Sequence, residues 1–348
     1  MKTSILMPIW GFLLSMTLAS CNFFSSSSGS IGVRATGVAY EVVVVADLSL
    51  WDDAVGNKIR DELQMSVPGL PQDEPSMRIT YVDPADFTGM MTYVRNILMV
   101  SVDPSRYTKA SFHTERDRWS SGQVVVHVTS PEKGMLLDYL EQRPGQLVDY
   151  YTRTEMSRMS RVLRKTHSTW IEDKLKEKFG IVLYAPDDFN SSKDTTGFFW
   201  SSNNANVGRM DIVVYTFPYT DEHTFTKEYL IARRDSALGA NIPGSFPGSH
   251  MATDANNVFY AATSQKGRYC GVLRGLWQME GDMMGGPFVS YARVDETHNR
   301  VVVAEGFVYS PDTDKRAYIR RLEGSLHTLL LPGESDAQEE QQKPEASE

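Results

Sequence analysis

The sequence predicts an α+β protein of two duplicated β-α-β-β-β-α halves. Its sheet is expected to be mostly antiparallel, with helices packed on one face and a long helix linking the halves. Three observations predict this. Short β-branched runs alternate with segments of helical spacing. Three signposts recur in the same order in both halves. A continuous amphipathic stripe runs through residues 146–179 between them.

The first half opens with Glu41-Val42-Val43-Val44-Val45-Ala46, a β-branched run suited to a buried strand. Residues 50–65 carry Trp51, Val55, Ile59 and Leu63 at helical spacing. Asp52 and Asp53 stand near the start of that stretch, where the helix dipole favours anions. Pro68-Gly69-Leu70-Pro71 stops it. Strands are expected near residues 77–82, 97–102 and 123–129, and Ser130-Pro131 then opens a helix near 133–140. The second half repeats the order. A strand at 211–217 and a helix at 225–238 precede Ile242-Pro243-Gly244. Strands follow near 258–263 and 269–273, then a hairpin of 288–294 and 300–308 turning at Glu296-Thr297-His298-Asn299. Ser310-Pro311 opens a last helix with Tyr318, Ile319, Leu322, Leu326, Leu329 and Leu330 on one face. Residues 180–184 and 197–201 are candidates for further strands.

The recurring signposts are Pro68-Gly69 with Pro243-Gly244, Arg116-Asp117-Arg118-Trp119 with Arg274-Gly275-Leu276-Trp277, and Val128-Thr129-Ser130-Pro131-Glu132 with Val308-Tyr309-Ser310-Pro311-Asp312. They divide the chain into a first half at 37–145, a linking helix at 146–180 and a second half at 181–332. The linking helix carries Arg158, Arg161, Arg164 and Lys165 as a basic face. Such a face is either solvated or a contact for acidic lipid headgroups or an acidic partner. Residues 333–348 hold six acids, one lysine and no large apolar side chain, the composition of a disordered tail.

Length and composition bound the function. With 348 residues, 41% hydrophobic and 23% charged, the chain is neither wholly disordered nor collagen-like nor a multi-span membrane protein. A net charge of -9 argues against a nucleic-acid partner, because phosphate affinity needs clustered positive charge. Two cysteines cannot build a disulfide scaffold or a four-cysteine zinc site.

The N-terminus carries an address. Lys2 precedes an uncharged run over residues 5–19. As a helix that run rises about 22 Å, short of the roughly 30 Å hydrocarbon core. It therefore reads as a secretory signal over residues 1–20. Leu18-Ala19-Ser20-Cys21 resembles the lipobox of bacterial lipoproteins. The resemblance implies cleavage before Cys21, a diacylglyceryl thioether on its sulfur and an acylated amino group. The alternative is a plain signal peptide with a chance cysteine. Residues 21–36, with four serines at 25–28 and Gly29, Ser30 and Gly32, form a flexible tether. Acylation would leave Cys270 as the one thiol, in an alternating stretch that suits a buried inert side chain better than a nucleophile.

Motifs for chemistry are sparse. The chain has no P-loop, dinucleotide glycine fingerprint, HExxH, Cys-x-x-Cys or Gly-x-Ser-x-Gly elbow. No two histidines stand four apart, so no metal site and no cofactor is expected. Asp312-Thr313-Asp314 begins like a calcium loop but continues Lys315-Arg316 without a glycine. The densest polar segment runs from Arg274 to Pro287 and holds Arg274, Trp277, Glu280 and Asp282 among four internal glycines. These four residues are the candidate binding site for a sugar or peptide. Acid–base work by Glu280 and Asp282 is the alternative. A purely structural role would pair Arg274 with Asp282 and bury Trp277. Ser249-His250 is the best loop position for a reactive pair, though sequence neighbours rarely face each other. Arg234-Asp235 is expected to make a framework salt bridge.

Several strings are distinctive together. They are Pro68-Gly69-Leu70-Pro71-Gln72-Asp73-Glu74-Pro75, Arg95-Asn96-Ile97-Leu98, Arg274-Gly275-Leu276-Trp277 through Met284-Gly285-Gly286-Pro287-Phe288-Val289-Ser290, and Glu305-Gly306-Phe307-Val308-Tyr309-Ser310-Pro311 with Lys315-Arg316. With the lipobox, they resemble an uncharacterised family of Bacteroidetes envelope lipoproteins, a domain of unknown function, over roughly residues 37–330. That resemblance implies a lipoprotein and transfers no catalytic residue. Surface-exported lipoproteins of that group carry acids just after the cysteine, and Asn22-Phe23-Phe24-Ser25 has none. The expectation is a protein facing the periplasm, on the outer membrane rather than the inner. It is held to the membrane through its N-terminal lipid and binds a protein or glycan partner. An envelope hydrolase using Glu280 and Asp282 is the alternative.

Overall fold

The computed structural model describes residues 32–335. The signal segment, the lipobox with Cys21, most of the tether and residues 336–348 lie outside the described residues. Among the described residues, no helix is long and apolar enough to cross a membrane.

The first unit runs β1 (Glu41–Val45), α1 (Leu48–Trp51), α2 (Ala54–Leu63), β2 (Arg78–Val82), β3 (Asn96–Val102), β4 (Ser111–Arg116), β5 (Val124–Ser130), α3 (Lys133–Glu141) and α4 (Gln146–Leu163). The expected 50–65 helix is split because Asp53 caps α2, accepting from the Ala54 N–H at 2.6 Å. The strand order is β2-β1-β3-β5-β4. β1, β2, β3 and β5 are parallel, and β4 runs antiparallel to β5 on the edge. Alternation sends Val42, Val44, Leu98, Val100, Val126 and Val128 to the face covered by α2, α3 and α4. Val45, Ile97 and Val125 point the other way, under Phe87, Met99 and Trp119 from loops and the strand itself. Here the helices lie on one face, as expected.

The second unit runs α5 (Thr169–Phe179), β6 (Ser191–Thr195), β7 (Phe198–Ser202), β8 (Arg209–Pro218), α6 (Lys227–Asn241), β9 (His250–Gln265), β10 (Arg268–Glu280), β11 (Gly285–Asp295), β12 (Arg300–Tyr309) and α7 (Arg316–Leu326). Its sheet is antiparallel throughout, ordered β6-β7-β8-β12-β11-β10-β9. Both faces are covered. Ile171, Leu175, Ile319, Leu322 and Leu326 from α5 and α7 pack one face, and Leu230 and Leu238 from α6 the other. The expected single helical layer is therefore corrected here: the strands are apolar on both sides and need two covers.

The architecture is α+β. Among the described residues, seven of the ten strand pairings are antiparallel, and the three parallel ones all lie in the first sheet. The two units do not share a topology, so the duplication is not confirmed. Its signposts occupy different places. Arg116 ends edge strand β4, whereas Arg274 and Trp277 lie inside β10. Neither Ser-Pro pair caps a helix directly, since α3 begins at Lys133 and α7 at Arg316.

The linking helix is two helices. α4 ends at Leu163 and α5 begins at Thr169. His167 spans the turn, with Nδ1 3.0 Å from the Leu163 carbonyl and Nε2 2.7 Å from Glu172. The basic face of α4 is not uniformly solvated. Arg158 is buried, donating to Glu155 and Asn96 at 2.7 Å each. Both ends of the described residues are tied down further than the composition suggested. Ala35 N–H donates to Ser121 and Thr36 N–H to Tyr93. Glu334, placed in the acidic tail, accepts from Arg293 at 3.0 Å. Arg293 is fully buried and requires a carboxylate.

The two units are locked together by the loop over residues 66–76. α7 has no side-chain cap of its own. Glu74, from the first unit, accepts from the Lys315 and Arg316 N–H groups at 2.7 and 2.9 Å. Gly69 sits at φ +83°, where a Cβ would lie 2.7 Å from the Gly275 nitrogen of β10. Lys315 Nζ donates to Gln72 at 3.1 Å, and Arg316 donates to the Pro75 carbonyl. On the far side, a Cβ on Gly324 of α7 would lie 2.4 Å from Met159 of α4. Glu74→Ala strands two buried N–H donors at the start of α7. It should lower the unfolding free energy by about 2 kcal/mol in urea denaturation of the full chain. Asp73→Ala, whose side chain is exposed, should change it little.

Candidate functional site

The four residues singled out in the sequence do not form one site. Arg274 turns toward α7 and pairs with Glu323, not with Asp282. The strand explains this: six residues of β10 put roughly 20 Å between Arg274 and Glu280. Glu323 is fully buried. It also accepts from Arg320 at 2.9 Å and from the Tyr291 hydroxyl at 3.3 Å. Burial pushes Arg320 down to about 10 and Tyr40, which lies under its guanidinium, up to about 12. This cluster belongs to the junction of the two units. Trp277 is core, with its indole N–H donating to the Val308 carbonyl at 3.1 Å and its ring edge-on to Phe307.

Glu280 and Asp282 lie at the β10–β11 turn. Glu280 is exposed and faces His250 at 3.4 Å, its direct partner in the β9–β10 ladder. Asp282 accepts from the Ser245 N–H at 2.8 Å and the Met283 N–H at 2.7 Å. These bonds, chiefly that from Ser245, hold its carboxyl below the ordinary value of 3.8. The structure thus clasps the 243–250 loop to the β10–β11 turn and leaves Phe246 and Met283 exposed at the tip. Ser249 is buried, and its hydroxyl donates to the Phe246 carbonyl at 2.6 Å. Gly248, not Ser249, is the neighbour of the His250 ring, at 3.2 Å. Cys270 is fully buried, and burial pushes its thiol up to about 12, which removes the thiolate a nucleophile needs. Arg234 goes to Glu305 rather than mainly to its neighbour. The two are fully buried at 2.8 Å, with Asp235 further off at 3.7 Å.

Where the units meet, a cleft of about 340 Å³ opens. Pro71 and Gln72 enter from the first unit, Pro311 and Lys315 from the approach to α7. Asp254 comes from β9, Leu276, Trp277 and Gln278 from β10, and Gly285 and Gly286 from β11. Asp254 reaches the cleft because β9 bulges between the partners of Gly275 and Trp277. It holds the bulge by accepting from the Asn256 N–H and the Asn257 amide. Gly286 is required by the packing, since a Cβ would meet the Val308 carbonyl at 2.1 Å.

Sequence spacing missed one cluster. His113 and Glu115 on β4 and His127 on β5 place their donor atoms within 4.8 Å of one another. The expectation of no metal site rested on helical i, i+4 spacing. The signal here was period two: His-x-Glu puts both side chains on one face of a strand. The cross-strand histidine is not visible from any local window.

Two family descriptions divide the chain at the turn between α4 and α5. Residues 35–164 match a domain of unknown function (DUF8532), and residues 168–328 match another (DUF4837). The chain joins two domains of unknown function. The DUF8532 part carries the mixed sheet with α4, and the DUF4837 part runs from the start of α5 to just past the end of α7. No curated protein matches the chain. Among solved structures, the Ran-binding protein Mog1p of Saccharomyces cerevisiae is 12% identical with a TM-score of 0.29, over 44% of this chain and 90% of that one. A Bacteroides thetaiotaomicron VPI-5482 protein is 12% identical with a TM-score of 0.19, over 45% of this chain and 46% of that one. Neither likeness establishes a shared fold.

The clasp at Asp282 has a definite pH dependence. Its folded-state pKa is depressed, so its contribution is complete above 3.8, the ordinary value, and is lost as pH falls through the lower folded value. Protection of the Ser245 amide, its exchange relative to the intrinsic rate at each pH, should be high at neutral pH and fall only in acid. Asp282→Asn should weaken that protection already at pH 7.

Proposed function

We propose that this protein is a lipid-anchored envelope lipoprotein facing the periplasm, and that the cleft between its two domains binds a short polar glycan. The cleft carries the binding half of the reading. Its polar residues are two amides, Gln72 and Gln278, one carboxylate, Asp254, and one ammonium, Lys315. Amides donate and accept at once, as sugar hydroxyls do, and the single pair of opposite charges suits a neutral ligand. Pro71, Leu276 and Pro311 offer apolar surface for the C–H faces of a ring. The volume lies in the range of small-ligand sites. Gln72 and Lys315 already hold each other, and Asp254 is held by its bulge, so three of the four polar groups are preorganised. The address rests on Leu18-Ala19-Ser20-Cys21 and the uncharged run before it.

The alternative, an envelope hydrolase using Glu280 and Asp282, has less support. Asp282 is held ionised by two backbone donors, which suits a loop clasp and not a general acid.

Two measurements test the reading. Cells fed a labelled fatty acid should yield labelled mature protein, and Cys21→Ser should abolish both the label and membrane retention. An unlabelled protein that washes free of the envelope overturns the anchor. Soluble oligosaccharide fragments of envelope glycans should bind the full chain saturably in calorimetry. Asp254→Ala and Gln278→Ala should each weaken binding roughly tenfold, the value of one good hydrogen bond. Absence of saturable binding, or binding by both variants undiminished from the parent chain, overturns the cleft as the site.

A further inference from the structure

The open face of the first sheet carries a second constellation, away from the cleft. His113 and Glu115 stand two apart on β4, and His127 is the direct cross-strand partner of His113 on β5. The two imidazoles lie parallel, 4.4 Å between centroids with 3° between planes. Both present Nε2 to the same carboxylate. Glu115 Oε1 is 3.8 Å from His113 Nε2, and Glu115 Oε2 is 3.6 Å from His127 Nε2.

These distances are too long for hydrogen bonds. They are close to what a shared ion needs. Bonds of about 2.0–2.1 Å at tetrahedral angles space neighbouring ligand atoms roughly 3.4 Å apart. His127 Nε2 is shut off from solvent and has no hydrogen-bond partner, an arrangement that costs free energy unless something takes its lone pair.

We infer that His113, Glu115 and His127 form a binding site for a borderline divalent cation of the zinc type. Two imidazole nitrogens and one carboxylate oxygen are the ligands, and the remaining position is open to water. The donor set excludes hard calcium-type chemistry, which takes oxygen ligands alone. Arg118 donates to Glu115 at 2.8 Å and holds the carboxylate in place. Its side chain is 41% exposed on the turn after β4, so it swings aside when an ion enters. The ion then ties edge strand β4 to β5 through side chains as well as backbone.

The untagged full chain should bind one Zn²⁺ in calorimetry, and Co²⁺ in its place should give visible ligand-field absorption. Zn²⁺ should also raise the thermal unfolding midpoint. His113→Ala removes a side chain that is more than half exposed, so the fold is kept, as circular dichroism will show. It should weaken Zn²⁺ binding by at least roughly tenfold and abolish the Co²⁺ absorption. His127→Gln should do the same, and His298→Ala, on the β11–β12 turn, should change neither. No stoichiometric binding by the parent chain, undiminished binding by His113→Ala, or loss in His298→Ala overturns the proposal.

Discussion

A carboxylate of one domain closes a helix of the other. Glu74 supplies the N-terminal acceptor that α7 lacks in its own sequence, taking two backbone N–H groups that would otherwise be buried and unpaired. Negative charge at a helix N-terminus is favourable in itself, by up to about 2 kcal/mol where the geometry is partly buried. The consequence reaches beyond energy. Once Glu74 is fixed, the 66–76 loop must lie along β10, and only a glycine at position 69 lets it approach so closely. Leu70 then packs against the core of the second domain, and Gln72 reaches Lys315. The cleft exists because this loop stands off from Trp277 and Gly286 while its neighbours touch.

Beside the junction, each domain holds its own buried carboxylate shared by two guanidiniums. Arg95 and Arg158 converge on Glu155 and Asn96 beneath α4. Arg274 and Arg320 converge on Glu323 in α7. In each, two guanidiniums share one carboxylate, an arrangement whose desolvation cost is large and whose removal by halves is worse. Between them α4 and α7 cross at Gly324 against Met159, where any side chain would force the helices apart. The Arg234–Glu305 pair does the same service on the opposite face of the second sheet. There Phe288 lies 3.9 Å under the guanidinium and Thr253 accepts a further N–H. These networks fix the packing within each domain, which a purely apolar core would leave less defined.

The two surfaces we propose as functional follow from different features of the fold. The cleft depends on the domain junction and on a bulge in β9. The His113–Glu115–His127 constellation depends only on the ladder between β4 and β5, and lies on a face that no helix covers. Of the residues first considered for chemistry, Trp277 alone lines the cleft, as part of its wall. Glu280 and Asp282 sit at a turn whose task is to hold a neighbouring loop, and Arg274 is consumed by the junction.

Much of the local structure was legible in the chain. β1, β2, β3, β5, α3 and β12 fall within a residue or two of the stretches that periodicity marked, because side-chain alternation and helical spacing are properties of adjacent residues. β4 escaped notice because Ser-Phe-His-Thr-Glu-Arg on an edge has little apolar contrast. The burial of Cys270 also followed from its surroundings in sequence. Strand direction, the second helical layer, the partner of Arg274 and the meeting of His127 with His113 did not. The Glu74–Lys315 contact spans 241 residues. No window of neighbouring residues records such a contact, because it exists only once two separately formed cores have packed against each other.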